Sequence, residues 1–154
     1  MKTYSELLKD CESSVDEIFP WDLNEKMKND DQIFLLDVRE PAEFEAMHIK
    51  GSVNAPRGVL ETTCEWGFDE TNPELVQARD KEVIVICRSG NRSLLAARTM
   101  QLMGYKKAIS LKTGLRGWND YELPLQDIKG QKVDEDFADD FFASKVSKEQ
   151  LGPK

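Results

Sequence analysis

Residues Val83-Ile84-Val85-Ile86-Cys87-Arg88-Ser89-Gly90-Asn91-Arg92-Ser93 read VIVICRSGNRS, a β-branched run that ends on a cysteine ahead of two arginines and a glycine. Four β-branched residues in succession predict a strand buried on both faces. Beyond Cys87 the period changes, with Leu95, Leu102 and Met103 at i, i+7 and i+8 and Gly104 where a helix would end. The cysteine therefore stands at a strand-to-helix turn. Thiolate is the nucleophilic form of cysteine, and it is favoured by unpaired helix N-terminal amides and by basic side chains. Gly90 gives the turn backbone freedom, so the N–H groups of Ser89, Gly90, Asn91 and Arg92 can curl around the sulfur as an anion cradle. Arg88 and Arg92 add full charges. The residues alone also fit a blander reading, in which Cys87 is a small apolar strand end and the arginines are solvated.

Outward from this stretch, short apolar runs alternate with helical patterns, the sign of an α/β fold with a parallel sheet between helices. Strands are expected at 15–18, 33–38, 52–55, 83–86 and 108–111. Pro20 opens a helix through residue 28, although Phe19 is a poor cap. Asn72 and Pro73 supply the cap and first turn of a helix over 74–79, and residues 115–121 form a last short helix before Leu123-Pro124. Residues 1–12 read as a helical extension, 13–128 as the domain, and 129–154 as an acidic, aromatic tail. In that tail Asp134, Glu135, Asp136, Asp139 and Asp140 surround Phe137, Phe141 and Phe142, which predicts loose attachment.

The 154 residues fit one domain, and 21 basic against 29 acidic residues give a net charge of −8. That balance argues against a broad nucleic-acid surface, so any anion site must be local. No stretch is long and apolar enough for a membrane span, and residues 1–6 lack the apolar run of a secretory signal, so a cytosolic location is expected. Cys11, Cys64 and Cys87 are odd in number and contain no CxxC, which points to reduced thiols and away from a disulfide framework or zinc knuckle.

Three ordered motifs carry a family resemblance. DVREPAEF at 37–44, HIKGSVNAP at 48–56 and VIVICRSGNRS at 83–93, followed by Gly104-Tyr105 and GLRGW at 114–118, resemble a single-domain rhodanese over residues 15–125. The resemblance implies a five-stranded parallel sheet and a sulfurtransferase in which Cys87 becomes a persulfide. It also implies that Arg88, Ser89, Gly90, Asn91, Arg92 and Ser93 bind the transferred sulfur and the donor anion. The donor would be thiosulfate or a persulfide, and the acceptor cyanide, glutathione or another thiol, a sulfur-carrier protein included. No metal or organic cofactor is expected. Departures from the family pattern at Met47, at Lys50 and within GLRGWNDY look structural.

Two other readings stand beside the enzyme. One is a rhodanese-like protein-binding or sulfur-carrier module without appreciable turnover; inactive binding modules usually lack the cysteine, which this chain keeps. Phosphatases and arsenate reductases of similar fold need five residues between cysteine and arginine, whereas Arg92 follows Cys87 after four. Of the two arginines, Arg88 is expected to face solvent and clamp the donor, and Arg92 to hold the loop. The lone histidine, His48, reads as a hydrogen-bonded structural residue, Asp37 and Arg39 as a structural salt bridge, and Trp118 as core cover. The long connection at 57–68 reaches far enough to overhang the site, and its Cys64 is either a second sulfur-accepting thiol or an ordinary free one.

Overall fold

The computed structural model describes residues 1–153. Its elements run α1 (Tyr4–Glu12), β1 (Glu17–Ile18), α2 (Pro20–Asn29), β2 (Phe34–Asp37), α3 (Pro41–Ala46), β3 (Val53–Asn54), a 3₁₀ turn (Arg57–Val59), α4 (Leu60–Thr63), α5 (Pro73–Val76), β4 (Glu82–Ile86), α6 (Asn91–Leu102), β5 (Lys107–Leu111), α7 (Gly114–Asp120), α8 (Glu135–Phe142) and a second 3₁₀ turn (Glu149–Leu151). The five strands form one sheet in the order β1-β5-β4-β2-β3, every pair parallel.

The β-branched run forms the central strand because side chains alternate across the sheet. Val83, Val85 and Cys87 enter one core with Leu36, Val38, Leu94 and Tyr105. Ile84 and Ile86 enter the other with Leu23, Leu35, Leu111, Leu115 and Trp118. Helices cover both faces, which is why β4 is almost free of polar residues. Parallel order sends the C-terminal ends of β2, β4 and β5 to one edge, and the turn carrying Cys87 lies there between its neighbours.

Several expected boundaries shift. The first strand is two residues long because Val15 belongs to the turn closing α1, its N–H donating to the Cys11 carbonyl at 2.9 Å. The helix expected at 74–79 ends at Val76, and the Arg79 side chain instead binds the carbonyls of Met103, Val76 and Cys64. Asn72 does cap that helix, its side chain accepting from the Leu75 N–H. The connection at 57–72 packs down beside α6, with an Arg57 hydrogen bond to Thr99, and buries Leu60 and Cys64.

Contrary to the expectation from composition, the tail is firmly attached. Residues 135–142 form a helix capped by Asp134, and Ala138 and Phe142 are each 1% exposed within the second core. Asn119 fastens it, donating to Asp139 at 2.7 Å and to the Glu135 carbonyl at 3.2 Å. Composition averaged the acids with the aromatics. The helical spacing of Ala138 and Phe142, four residues apart, puts them on one face.

Candidate active site

Cys87 closes β4 with its sulfur inside the turn and 1% of the residue exposed. The sulfur accepts from the N–H groups of Gly90 at 3.1 Å and Ser93 at 3.3 Å, and lies 3.3 Å from the Ser93 hydroxyl. That hydroxyl is 2.8 Å from the hydroxyl of Ser110 on β5. Two backbone dipoles at the start of a twelve-residue helix thus converge on one sulfur, an arrangement that stabilises negative charge there. Gly90 makes the turn possible by adopting φ of 93°, a left-handed conformation that other residues rarely hold.

The turn is fastened from below by α7, whose Leu115 and Arg116 N–H groups donate to the carbonyls of Cys87 and Arg88, each at 2.9 Å. Gly114 permits this approach. It has φ of 61°, and a β-carbon there would come within 2.5 Å of the Arg88 carbonyl and 2.6 Å of the Cys87 carbonyl. Thr113 beside it holds φ of 67° despite its branched β-carbon, and Gly117 leaves the space that the Thr113 hydroxyl fills. Gly114→Ala is expected to cost about 1–3 kcal/mol and to depress activity, because the backbone it displaces carries the cysteine. Urea unfolding and initial rates check both parts.

The two loop arginines differ from expectation in part. Arg92 grips Glu43 of α3 with both terminal nitrogens, each at 2.9 Å, a bidentate pair that ties the loop to the element after β2. Hydrogen bonding to Arg92 holds the Glu43 carboxyl below the usual carboxylate range. Arg88 does not reach freely into solvent. Its Nε donates to the Phe142 carbonyl at 3.1 Å, so the side chain leans on the C-terminal end of α8. Ser89 and Asn91 are exposed on the outer rim of the turn.

Other candidates fall outside this constellation. His48 places Nδ1 2.8 Å from the Phe44 carbonyl and stacks on the Phe44 ring at 4.0 Å, a structural role. Arg39 binds Asp37 through Nε at 3.0 Å and Nη2 at 2.8 Å, both residues 0% exposed, and Nη2 also donates to the Met47 carbonyl. Trp118 covers the second core and donates to the Pro124 carbonyl. Cys64 is sealed in the first core, where burial pushes its thiol up, disfavouring the thiolate. All three cysteines are free. Residue-by-residue reading missed Glu43 and Ser110, whose only signal is spatial.

The rhodanese-like domain family matches residues 20–121 of this chain. Among curated proteins, the chain is 39% identical over 106 residues to the "Putative sulfur carrier protein YrkF" of Bacillus subtilis, a match covering 69% of this chain and 52% of that protein. It is 26% identical over 111 residues to a "Sulfurtransferase" of Allochromatium vinosum, covering 72% of this chain and 94% of that one. The chain spans about half the length of the Bacillus protein and of a second curated relative that it matches. Among solved structures, a Rhodopseudomonas palustris protein described as "Possible Tyrosine Phosphatase" aligns with TM-score 0.74 at 27% identity, over 82% of this chain and 96% of that one.

Proposed function

The chain belongs to the rhodanese-like domain family, and from that premise we propose that it moves a sulfane sulfur from thiosulfate or a persulfide donor to a thiophilic acceptor through a persulfide on Cys87. The observation that carries this reading is the pair of N–H groups aimed at the Cys87 sulfur at 3.1 and 3.3 Å. In the first displacement the Cys87 thiolate attacks the outer sulfur of thiosulfate. A sulfur–sulfur bond forms as the donor's own breaks, and sulfite leaves with the bonding electron pair. The turn from Arg88 to Ser93 then surrounds an anionic terminal sulfur, which its amides stabilise. In the second displacement cyanide or a thiolate attacks that sulfur, the persulfide bond breaks, and Cys87 returns as thiolate.

Neither step needs a metal or an organic cofactor. Action in a reducing compartment, the cytosol, suits the three free cysteines. Phosphoryl transfer is disfavoured by the one-residue-shorter loop and by the commitment of Arg92 to Glu43. Initial rates with thiosulfate and cyanide both varied are expected to give the parallel reciprocal plots of a double displacement. Intersecting plots, absence of thiocyanate, or turnover of aryl phosphates exceeding sulfur transfer would overturn the proposal. A carrier without turnover, in line with the name of the Bacillus relative, would accept one sulfur and give at most one thiocyanate per chain, with no repeated turnover.

A further inference from the structure

A groove of about 600 Å³ runs from the rim of the Cys87 turn across the outer side of α7, lined by Trp21, Ser89, Thr113, Arg116, Asp120 and Tyr121, with Gly117 in its floor. Its volume falls within the usual range for small organic ligands and far exceeds the needs of an inorganic anion. Trp21 and Tyr121 remain 40% and 54% exposed, yet their rings hold a defined arrangement. Trp21 stacks on Phe19 at 4.6 Å and 8°, and meets Tyr121 at 5.3 Å and 54°. This exposed aromatic wall offers flat apolar faces for contact with an organic ligand.

The charges in this groove are the second observation. Arg39, Arg57, Arg79, Arg88, Arg92 and Arg98 each hydrogen-bond another residue through the guanidinium, whereas the Arg116 guanidinium bonds nothing among the described residues. Asp120 likewise has no hydrogen-bond or ion-pair partner among them. These two lie four residues apart on α7, hence on one face, and do not pair with each other. Arg116 is also coupled to the Cys87 turn, since its N–H donates to the Arg88 carbonyl at 2.9 Å. A free guanidinium, a free carboxylate and two aromatic faces complement a ligand bearing both a carboxylate and an ammonium group.

We propose that this groove binds the amino-acid portion of a zwitterionic organic thiol, its carboxylate on Arg116 and its ammonium on Asp120 and the aromatic faces, so that its sulfur meets the Cys87 turn at Ser89. The assignment rests on the sulfurtransferase reading and names its acceptor class. In the transfer, the ligand thiol gives its proton up to solvent and its sulfur attacks the terminal sulfur of the Cys87 persulfide. The persulfide bond breaks, Cys87 leaves as thiolate, and the ligand departs as an organic persulfide, with no external oxidant or reductant.

Two measurements on the full chain separate this proposal from the reading beneath it. S-methylglutathione, which cannot accept sulfur, is expected to change the intrinsic tryptophan fluorescence saturably, and Arg116→Ala to weaken that binding about 10-fold. With thiosulfate as donor, the KM for reduced glutathione is expected to lie well below that for 2-mercaptoethanol, and Arg116→Ala or Asp120→Asn to shrink this preference by about 10-fold or about 3-fold. Binding of S-methylglutathione without any transfer would uphold the groove and defeat the sulfurtransferase reading. Transfer with equal KM for the two thiols, or binding unchanged in Arg116→Ala and Trp21→Ala, would overturn the groove alone.

Discussion

Cys87→Ser is expected to lower thiosulfate:cyanide transfer by at least about 1,000-fold while leaving the protein folded. A serine hydroxyl fits where the thiol stands and accepts from the same Gly90 and Ser93 N–H groups. It does not ionise at neutral pH, and its oxygen forms no persulfide. The loss would therefore be chemical, with thermal unfolding shifted by a few degrees at most. Cys64→Ser provides the contrast: a hydroxyl in the first core costs stability but leaves transfer in place, because burial disfavours the Cys64 thiolate and no N–H of the Cys87 turn is aimed at its sulfur. Retained transfer in Cys87→Ser, with loss in Cys64→Ser, would reverse the assignment.

Asp37→Ala is expected to destabilise the fold by about 3–5 kcal/mol, the cost of stranding a buried charge. Asp37 and Arg39 are both 0% exposed, and the carboxylate accepts from Arg39 at its backbone N–H, Nε and Nη2. Arg39 Nη1 already lacks a partner among the described residues, and once the carboxylate is gone the neutral Met47 carbonyl is the acceptor left to the guanidinium. The substitution should lower the melting temperature by about 10 °C or more. Replacing both residues, as Asp37→Leu with Arg39→Met, should recover much of the loss, since the charge is then gone. A loss below about 1 kcal/mol in the single variant would show that water or a rearranged neighbour satisfies Arg39.

The central strand and its cysteine were legible because two local signals coincide there. The β-branched run marks burial on both faces, and the switch to helical spacing beyond Gly90 marks the turn. Pro20 and Asn72 were legible for the same reason, since a first-turn proline and a capping side chain act on residues nearby. Contacts between distant residues were not. Glu43 and Arg92 are 49 positions apart, and only the packing of α3 beside the turn joins them. The Phe142 carbonyl that Arg88 binds was hidden as well, because it belongs to a helix whose acidic composition masks an apolar face. The groove is built mainly by α2 and α7, which lie far apart in sequence, so nothing in either segment announces it.

Intact mass after incubation with thiosulfate tests the central claim most directly, because it reads the intermediate rather than its turnover. The protein is expected to gain one sulfur atom, to carry it on the peptide containing Cys87, and to lose it on addition of cyanide. No gain, or a gain on the peptides of Cys11 or Cys64 that persists in Cys87→Ser, would contradict the account.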